Sequence, residues 1–295
     1  MTKEGRLYQP KIIRQVMEGA GLTFNKSLGQ NFLIDGNIVR QIAQAAGLTA
    51  EDSVLEIGPG IGTLTEELLL HAGQVLSVEL DRRFIQVLRD RLGDRESFLL
   101  MEGDALKLNL GPVLEKLAPR RPWKLVANLP YYITAPLLER FLRTDLPLES
   151  LTVMVQKEVA DRILAEPSTK DYGALTLFVA LYAEPSRAFD VPKTAFMPAP
   201  KVDSTVLVLR RKAPGSDGLS EEDRDRINNI VRQAFQQRRK MVIKAFQRAT
   251  RADRPAVEAA FKEAGISLQA RAENLGLEDF KHILQALGYI NKSEK

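Results

Sequence analysis

Val54-Leu55-Glu56-Ile57-Gly58-Pro59-Gly60-Ile61-Gly62-Thr63 passes from residues of strand character into a glycine-rich turn, and Thr63 to His71 then reads as a helix. Glycines at such a turn accept positive φ and let a ligand press against the backbone. A dinucleotide fingerprint needs Gly-x-Gly-x-x-Gly. Counted from Gly58 its last position falls on Thr63, and counted from Gly60 on Thr65, so both frames fail. The Gly-x-Gly-x-Gly spacing suits a nucleoside without a pyrophosphate better than it suits NAD.

Outward from this turn, strand and helix signals alternate. Val75 to Leu80 reads as a strand, and Arg82 to Leu92 as a helix with Phe84, Ile85, Leu88 and Leu92 on one face. Phe98 to Met101, Lys124 to Ala127 and Leu151 to Val155 continue the strands, with a helix over Leu137 to Leu142 between the last two. That order predicts an α/β fold with a mostly parallel, Rossmann-like sheet covered by helices on both faces. Beyond Tyr172 the pattern changes. Ala174 to Tyr182 and Val202 to Leu209 read as strands at the far edge of the same sheet. Ala213 to Gly218 has the make-up of a linker, and only helical signals follow. Ser220 with Asp223 resembles a capping box, and Phe280, Ile283, Leu284 and Leu287 fall at helical spacing before Gly288. The expected organisation is an extension over 1–24, the α/β domain over 25–212 and a small all-helical domain over 213–295.

Composition narrows the chemistry. The 295 residues include no cysteine and only two histidines, His71 and His282, far apart in sequence. Disulfides, thiolate metal sites and cysteine nucleophiles are excluded, and neither zinc nor serine–histidine catalysis is expected from two distant imidazoles. We therefore expect no metal. No apolar run approaches the roughly 20 residues of a membrane helix, and residues 1–21 lack the apolar centre of a signal peptide. A cytoplasmic monomer without membrane contact is expected. The net charge of +4 is compatible with a polyanionic partner without identifying one.

Acidic residues recur where strands end. Glu79 closes the second strand, placed to accept both hydroxyls of a ribose, and Asp104 follows the third, placed to accept from an adenine amine. Singly, each reads equally as a turn or cap residue. Successive strand ends are, however, where ligands of open α/β sheets bind. After the fourth strand stands Asn128-Leu129-Pro130-Tyr131. It reads as a turn, or as a device for an aromatic amine whose lone pair is delocalised into its ring. In the second reading the Asn128 side-chain oxygen and the Leu129 carbonyl hold both amine hydrogens and favour a pyramidal nitrogen. Pro130 stiffens the turn, and Tyr131 stacks on a base drawn out of its helix.

In this order the motifs resemble the ribosomal RNA adenine dimethyltransferase family, and most of all its bacterial small-subunit branch. The similarity covers residues 24–285. It includes Ser27-Leu28-Gly29-Gln30-Asn31-Phe32-Leu33, the Glu56–Gly62 turn, Glu79, Gly103-Asp104, Asn128–Tyr131 and Gln156-Lys157-Glu158-Val159-Ala160. It extends to Phe196-x-Pro198-x-Pro200-Lys201-Val202-Asp203-Ser204 and Gln237-Arg238-Arg239-Lys240. The resemblance implies a seven-stranded sheet and S-adenosylmethionine as methyl donor. It implies cofactor contacts at Asn31, Leu33, Gly58, Gly60, Glu79, Asp104 and Asn128, and Phe196 as a second aromatic face on the target base. It further implies dimethylation of two adjacent adenosines near the 3′ end of 16S rRNA in the small ribosomal subunit, during ribosome biogenesis.

Arg232, Arg238, Arg239, Lys240, Lys244, Arg248, Arg251 and Arg254 form a basic run that reads as a solvated face or as a footprint on rRNA phosphates, with Arg238, Arg239 and Lys240 as named candidates. Residues 1–21 carry Lys3, Arg6, Lys11 and Arg14 around Ile12, Ile13, Val16 and Met17, the pattern of an amphipathic helix that touches RNA. Three other readings share parts of the pattern: a large-subunit rRNA adenine methyltransferase of the resistance type, a DNA adenine methyltransferase, and a non-catalytic assembly or transcription factor. The segments Phe196–Ser204 and Gln237–Lys240 favour the small-subunit enzyme.

Overall fold

The computed structural model describes residues 5–22, 31–118, 121–213, 215–238 and 240–291. Helix α1 spans Pro10–Gly19, strand β1 Phe32–Leu33 and helix α2 Gly36–Ala45. The alternation predicted around the glycine turn follows: β2 Ser53–Ile57, α3 Thr63–His71, β3 Gln74–Glu79, α4 Arg82–Leu92, β4 Phe98–Glu102 and α5 Gly111–Leu117. Next come β5 Trp123–Asn128, α6 Thr134–Leu142, β6 Leu148–Gln156 and α7 Lys157–Ile163. Then follow α8 Ala174–Tyr182, β7 Ala183–Val191, β8 Phe196–Met197 and β9 Ser204–Arg211.

Seven strands form one sheet in the order β4-β3-β2-β5-β6-β9-β7, with β1 and β8 paired separately. Strand β2 lies parallel to β3 and β5, with Leu55 beside both Leu76 and Leu125, and β6 runs parallel to β5. Strand β9 is antiparallel to β6, placing Val206 opposite Met154. All five residues of β2 are buried, as a central strand covered on both faces requires. Strand order reverses between β2 and β5, which opens a crevice beyond their carboxyl ends. The expected mostly parallel sheet is present.

Ala174 to Tyr182 is a helix, not an edge strand. An uninterrupted apolar run of this length has no period to separate strand from buried helix. Its leucines and alanines favour a helix, and the Thr176 hydroxyl accepts the Gly173 N–H at 3.2 Å across the first turn. The sheet edge is instead the polar β7, whose Pro185 suits an edge where a ladder donor is dispensable.

The chain divides into two compact units, one of residues 1–160 and 186–211, the other of residues 161–185 and 212–295. The first contains the sheet and also α1. The second gathers α8 with α9 Glu221–Gln236, α10 Ile243–Thr250, α11 Arg254–Glu263 and α12 Leu277–Ala286. Ser220 Oγ accepts the Asp223 N–H at 3.1 Å while Asp223 Oδ2 accepts the Ser220 N–H at 3.2 Å, closing the capping box at the start of α9. Phe246 packs edge-on to Phe261 and stacked on Phe280, with ring centroids 5.2 and 5.6 Å apart, at the centre of this unit. No described helix is long and apolar enough to cross a membrane.

In the first unit, Leu7, Ile13 and Met17 are buried with Phe32, Ile61, Phe84 and Val87. The Leu7 N–H donates to Glu66 Oε2 at 3.0 Å, and Thr63 Oγ1 donates to the Leu7 carbonyl at 3.2 Å. The amphipathic helix read from the first 21 residues therefore exists, and its apolar face is taken up by the core behind the glycine turn. Lys11 and Arg14 face solvent.

Candidate active site

At the crevice where strand order reverses lies a cleft of about 270 Å³. The first wall is the turn after β2. Gly58, Gly60 and Gly62 all have positive φ, at 68°, 59° and 93°. Two of them show why a side chain is excluded. A Cβ on Gly60 would lie 3.0 Å from the Phe32 ring, and one on Gly62 would lie 2.9 Å from Leu88, so the turn is squeezed between cleft and core.

The second wall is acidic. Glu79, at the end of β3, accepts the Gly60 N–H on Oε2 at 3.0 Å and the Leu80 and Asp81 N–H groups on Oε1, each at 2.8 Å. Three backbone donors thus fix one carboxylate between turn and strand. Burial raises its pKa, while these donors act in the opposite direction. Glu56 also lines the cleft and is only 1% exposed. Its Oε2 accepts Thr65 Oγ1 at 2.7 Å and Ser77 Oγ at 2.6 Å. Burial pushes its pKa to about 7; the Ser77 and Thr65 hydroxyls pull it down, and the charge of Glu79 pushes it up again. The sequence reading passed over Glu56, although an acid at the last but one position of a buried strand is itself a signal.

The third wall is the turn after β5. Asn128, Leu129, Pro130 and Tyr131 all line the cleft, together with Asn31 and Leu33. The Asn128 Nδ2 amide donates to the Asn31 carbonyl at 3.3 Å, so the Asn128 side-chain oxygen remains as acceptor. The Leu129 N–H donates to the Met154 carbonyl at 3.2 Å. Tyr131 begins a single 3₁₀ turn, Tyr131–Ile133, that leads into α6. Its hydroxyl lies 2.7 Å from Ser204 Oγ, a fully buried group at the start of β9. Ser204 was legible only as part of a motif, and in the structure it anchors the aromatic ring of the loop.

Other motif residues brace the site. Asp203 Oδ1 accepts the Lys193 N–H at 2.9 Å, and the Lys157 N–H donates to the Asp203 carbonyl at 3.0 Å. Asp104 does not line the cleft. Its Oδ1 caps the turn after β4 by accepting the Leu106 N–H at 2.9 Å, and its Oδ2 lies 3.4 Å from Lys107 Nζ.

Phe196 is not at the cleft either. It is 3% exposed and packs with Leu33, Val191 and Val206 in the core. The antiparallel pairing of β1 with β8 sets Leu33 against Phe196, and this turns the ring inward. The second aromatic face implied by the resemblance is thus, in this structure, a core side chain that props the Asn31–Leu33 wall.

Arg238 is committed within the helical unit. Its guanidinium donates to Glu273 Oε2 at 2.7 Å and to the Lys170 and Thr169 carbonyls at 2.9 and 3.0 Å. Lys240 is exposed, and Arg239 and Ser27–Gln30 lie outside the described residues. Phosphate-binding residues read from a basic run thus include one whose side chain stitches two loops together.

The profile of the family described as ribosomal RNA adenine dimethylase matches residues 21–288. A relative from Listeria monocytogenes (serovar 1/2a), named ribosomal RNA small subunit methyltransferase A, is 42% identical over 286 residues, spanning 95% of this chain and 96% of its own length. The crystal structure of a dimethyladenosine transferase from Plasmodium falciparum superposes with a TM-score of 0.68 at 25% identity, covering 88% of this chain and 99% of its own. That of the 23S rRNA methyltransferase ErmE gives 0.67 at 30% identity, covering 88% and 100%. The family profile and the relatives at about 40% identity both span nearly the whole chain, so the chain belongs to the ribosomal RNA adenine dimethylase family.

Proposed function

We propose that this chain transfers methyl groups from S-adenosylmethionine to the exocyclic amine of adenine in small-subunit rRNA, converting two adjacent adenosines near the 3′ end of 16S rRNA to dimethyladenosine. The observation that carries the reading is one cleft lined both by the glycine turn with its two buried carboxylates and by Asn128–Tyr131. A largely apolar cleft with Glu56 and Glu79 in its walls fits a nucleoside that carries positive charge. When bound, S-adenosylmethionine supplies a methyl group on a sulfonium, a leaving group that needs no further activation.

The chain's own residues then have to position. Glu79 would accept from the ribose hydroxyls, Gly58 and Gly60 would offer close backbone approach, and Asn31 and Leu33 would close over the methionine end. Asp104, just past the end of β4, would accept from the adenine amine of the donor. The Asn128 side-chain oxygen and the Leu129 carbonyl would hold the two hydrogens of the target amine, and Tyr131 would stack on the extruded base. Held in this way, the amine nitrogen would keep its lone pair free for the methyl group. The methyl group would pass to nitrogen in exchange for an amine proton, and the donor's former methyl bond would leave its electron pair on sulfur. One amine proton leaves to solvent, and a second passage replaces the remaining hydrogen. In-line positioning of this kind supplies most of the acceleration.

For the RNA, we assign phosphate contacts to Lys240, Lys244, Arg248 and Arg251, all exposed on or next to α10. The test is to offer labelled S-adenosylmethionine with unmodified small subunits, large-subunit rRNA or DNA, and to identify the labelled nucleoside after digestion. Dimethyladenosine from small subunits alone is expected. Label in large-subunit rRNA would place the chain with the resistance-type enzymes.

A further inference from the structure

Tyr132 is the only aromatic among the large apolar side chains exposed in the described residues, at 57%, and it lines the same cleft as Asn128 and Tyr131. Its neighbour Tyr131 is fixed, half-buried, through its hydroxyl on Ser204. The two tyrosines open the 3₁₀ turn Tyr131–Ile133. At three residues per turn, consecutive side chains diverge by about 120°. They therefore cannot lie on the same face of one base: a ring stacked on Tyr131 leaves Tyr132 directed elsewhere at the cleft mouth. An exposed ring at a nucleic-acid site is free to receive a ligand, and stacking on a base is the contact that every nucleotide offers.

We propose that Tyr132 is a stacking platform for the base of the nucleotide next to the target adenosine, a second subsite that steadies the strand while the target occupies the cleft. The inference rests on the methyltransferase reading above for the identity of the RNA, but not for the stacking itself. A flanking-base platform holds the substrate without touching the reacting atoms. Its loss raises KM for RNA and leaves kcat and cofactor affinity in place.

The experiment compares the full-length protein with Tyr132→Phe and Tyr132→Leu. Four quantities are read: KM and kcat on unmodified small subunits, affinity for S-adenosylmethionine by calorimetry, and binding of a hairpin copying the 3′ end of small-subunit rRNA. The hairpin carries 2-aminopurine beside the target adenosine. We expect Tyr132→Leu to raise KM about tenfold, in the range of a lost base–aromatic stack, with kcat and cofactor affinity within about twofold. Quenching of the 2-aminopurine should be lost in Tyr132→Leu and kept in Tyr132→Phe. Unchanged KM and quenching in Tyr132→Leu would overturn the proposal. So would a parallel fall in cofactor affinity, which would make Tyr132 a wall of the donor site. If the unaltered protein transferred no methyl group, the functional reading would fail by itself, and the quenching comparison would still decide the role of Tyr132.

Discussion

At the residue scale the site depends on polar groups held by other polar groups. Glu56 is the clearest case, because its pKa is raised from an ordinary 4.5 to about 7 by burial above all. The folded protein retains a proton that the unfolded chain releases near 4.5. The stability contributed by this protonated acid is therefore complete below about 4.5 and is lost as pH rises through about 7. Thermal unfolding between about pH 5 and 8 should show this decline, and Glu56→Gln should flatten it. A cation bound in the cleft favours the ionised carboxylate, so affinity for S-adenosylmethionine should rise as pH passes 7 in the unaltered protein, and less so in Glu56→Gln. Ser204 acts one step further out. Ser204→Ala frees the Tyr131 hydroxyl, and a cycle with Tyr131→Phe should show coupling of about 1 kcal/mol in unfolding free energy. Additive effects would mean that the 2.7 Å contact contributes nothing to holding the ring.

Among the elements, those with a clear period were legible. Arg82–Leu92 forms a helix with the expected ends because one apolar face and Asp81 at its start mark its bounds, whereas Thr63–His71, buried through most of its length, is marked by Gly62 at its start. Strands β2 to β6 fall within a few residues of the apolar runs that announced them. Ala174–Tyr182 was misread because a run buried on all sides has no face to reveal its period. Within the site, Asn128–Tyr131, Glu79 and the glycines could be reasoned from chemistry. Asn31 needed the resemblance, since a loop asparagine carries no signal that its carbonyl will receive another amide from a strand 97 residues on. Ser204 and Glu56 are likewise assigned by contacts that only the fold creates. The role of α1 follows from the same contacts. Removing residues 1–20 would uncover Ile61, Phe84 and Val87, so the truncated protein should lose several kcal/mol of stability. Met17→Ala alone should cost about 2–5 kcal/mol in denaturant unfolding. A truncation of unchanged stability that bound ribosomes less well would instead support a direct RNA contact for Lys11 and Arg14.

For the whole molecule, electrostatics and chemistry make separate predictions. If Lys244 and Arg248 lie on phosphates, Lys244→Ala with Arg248→Ala should lower the slope of log affinity against log salt by about 1–2 without changing the product. Arg238→Ala should act through stability, since its guanidinium is held by Glu273 and two carbonyls. The central claim is that this chain methylates the adenine amine through the loop Asn128–Tyr131. It is tested most directly by mass spectrometry of nucleosides from unmodified small subunits incubated with S-adenosylmethionine and either the unaltered protein or Asn128→Ala. The account predicts dimethyladenosine from the unaltered protein and at least a hundredfold less from Asn128→Ala, about 2.7 kcal/mol of lost transition-state stabilisation, in a variant that still unfolds cooperatively. Dimethyladenosine formed equally by both proteins would contradict it.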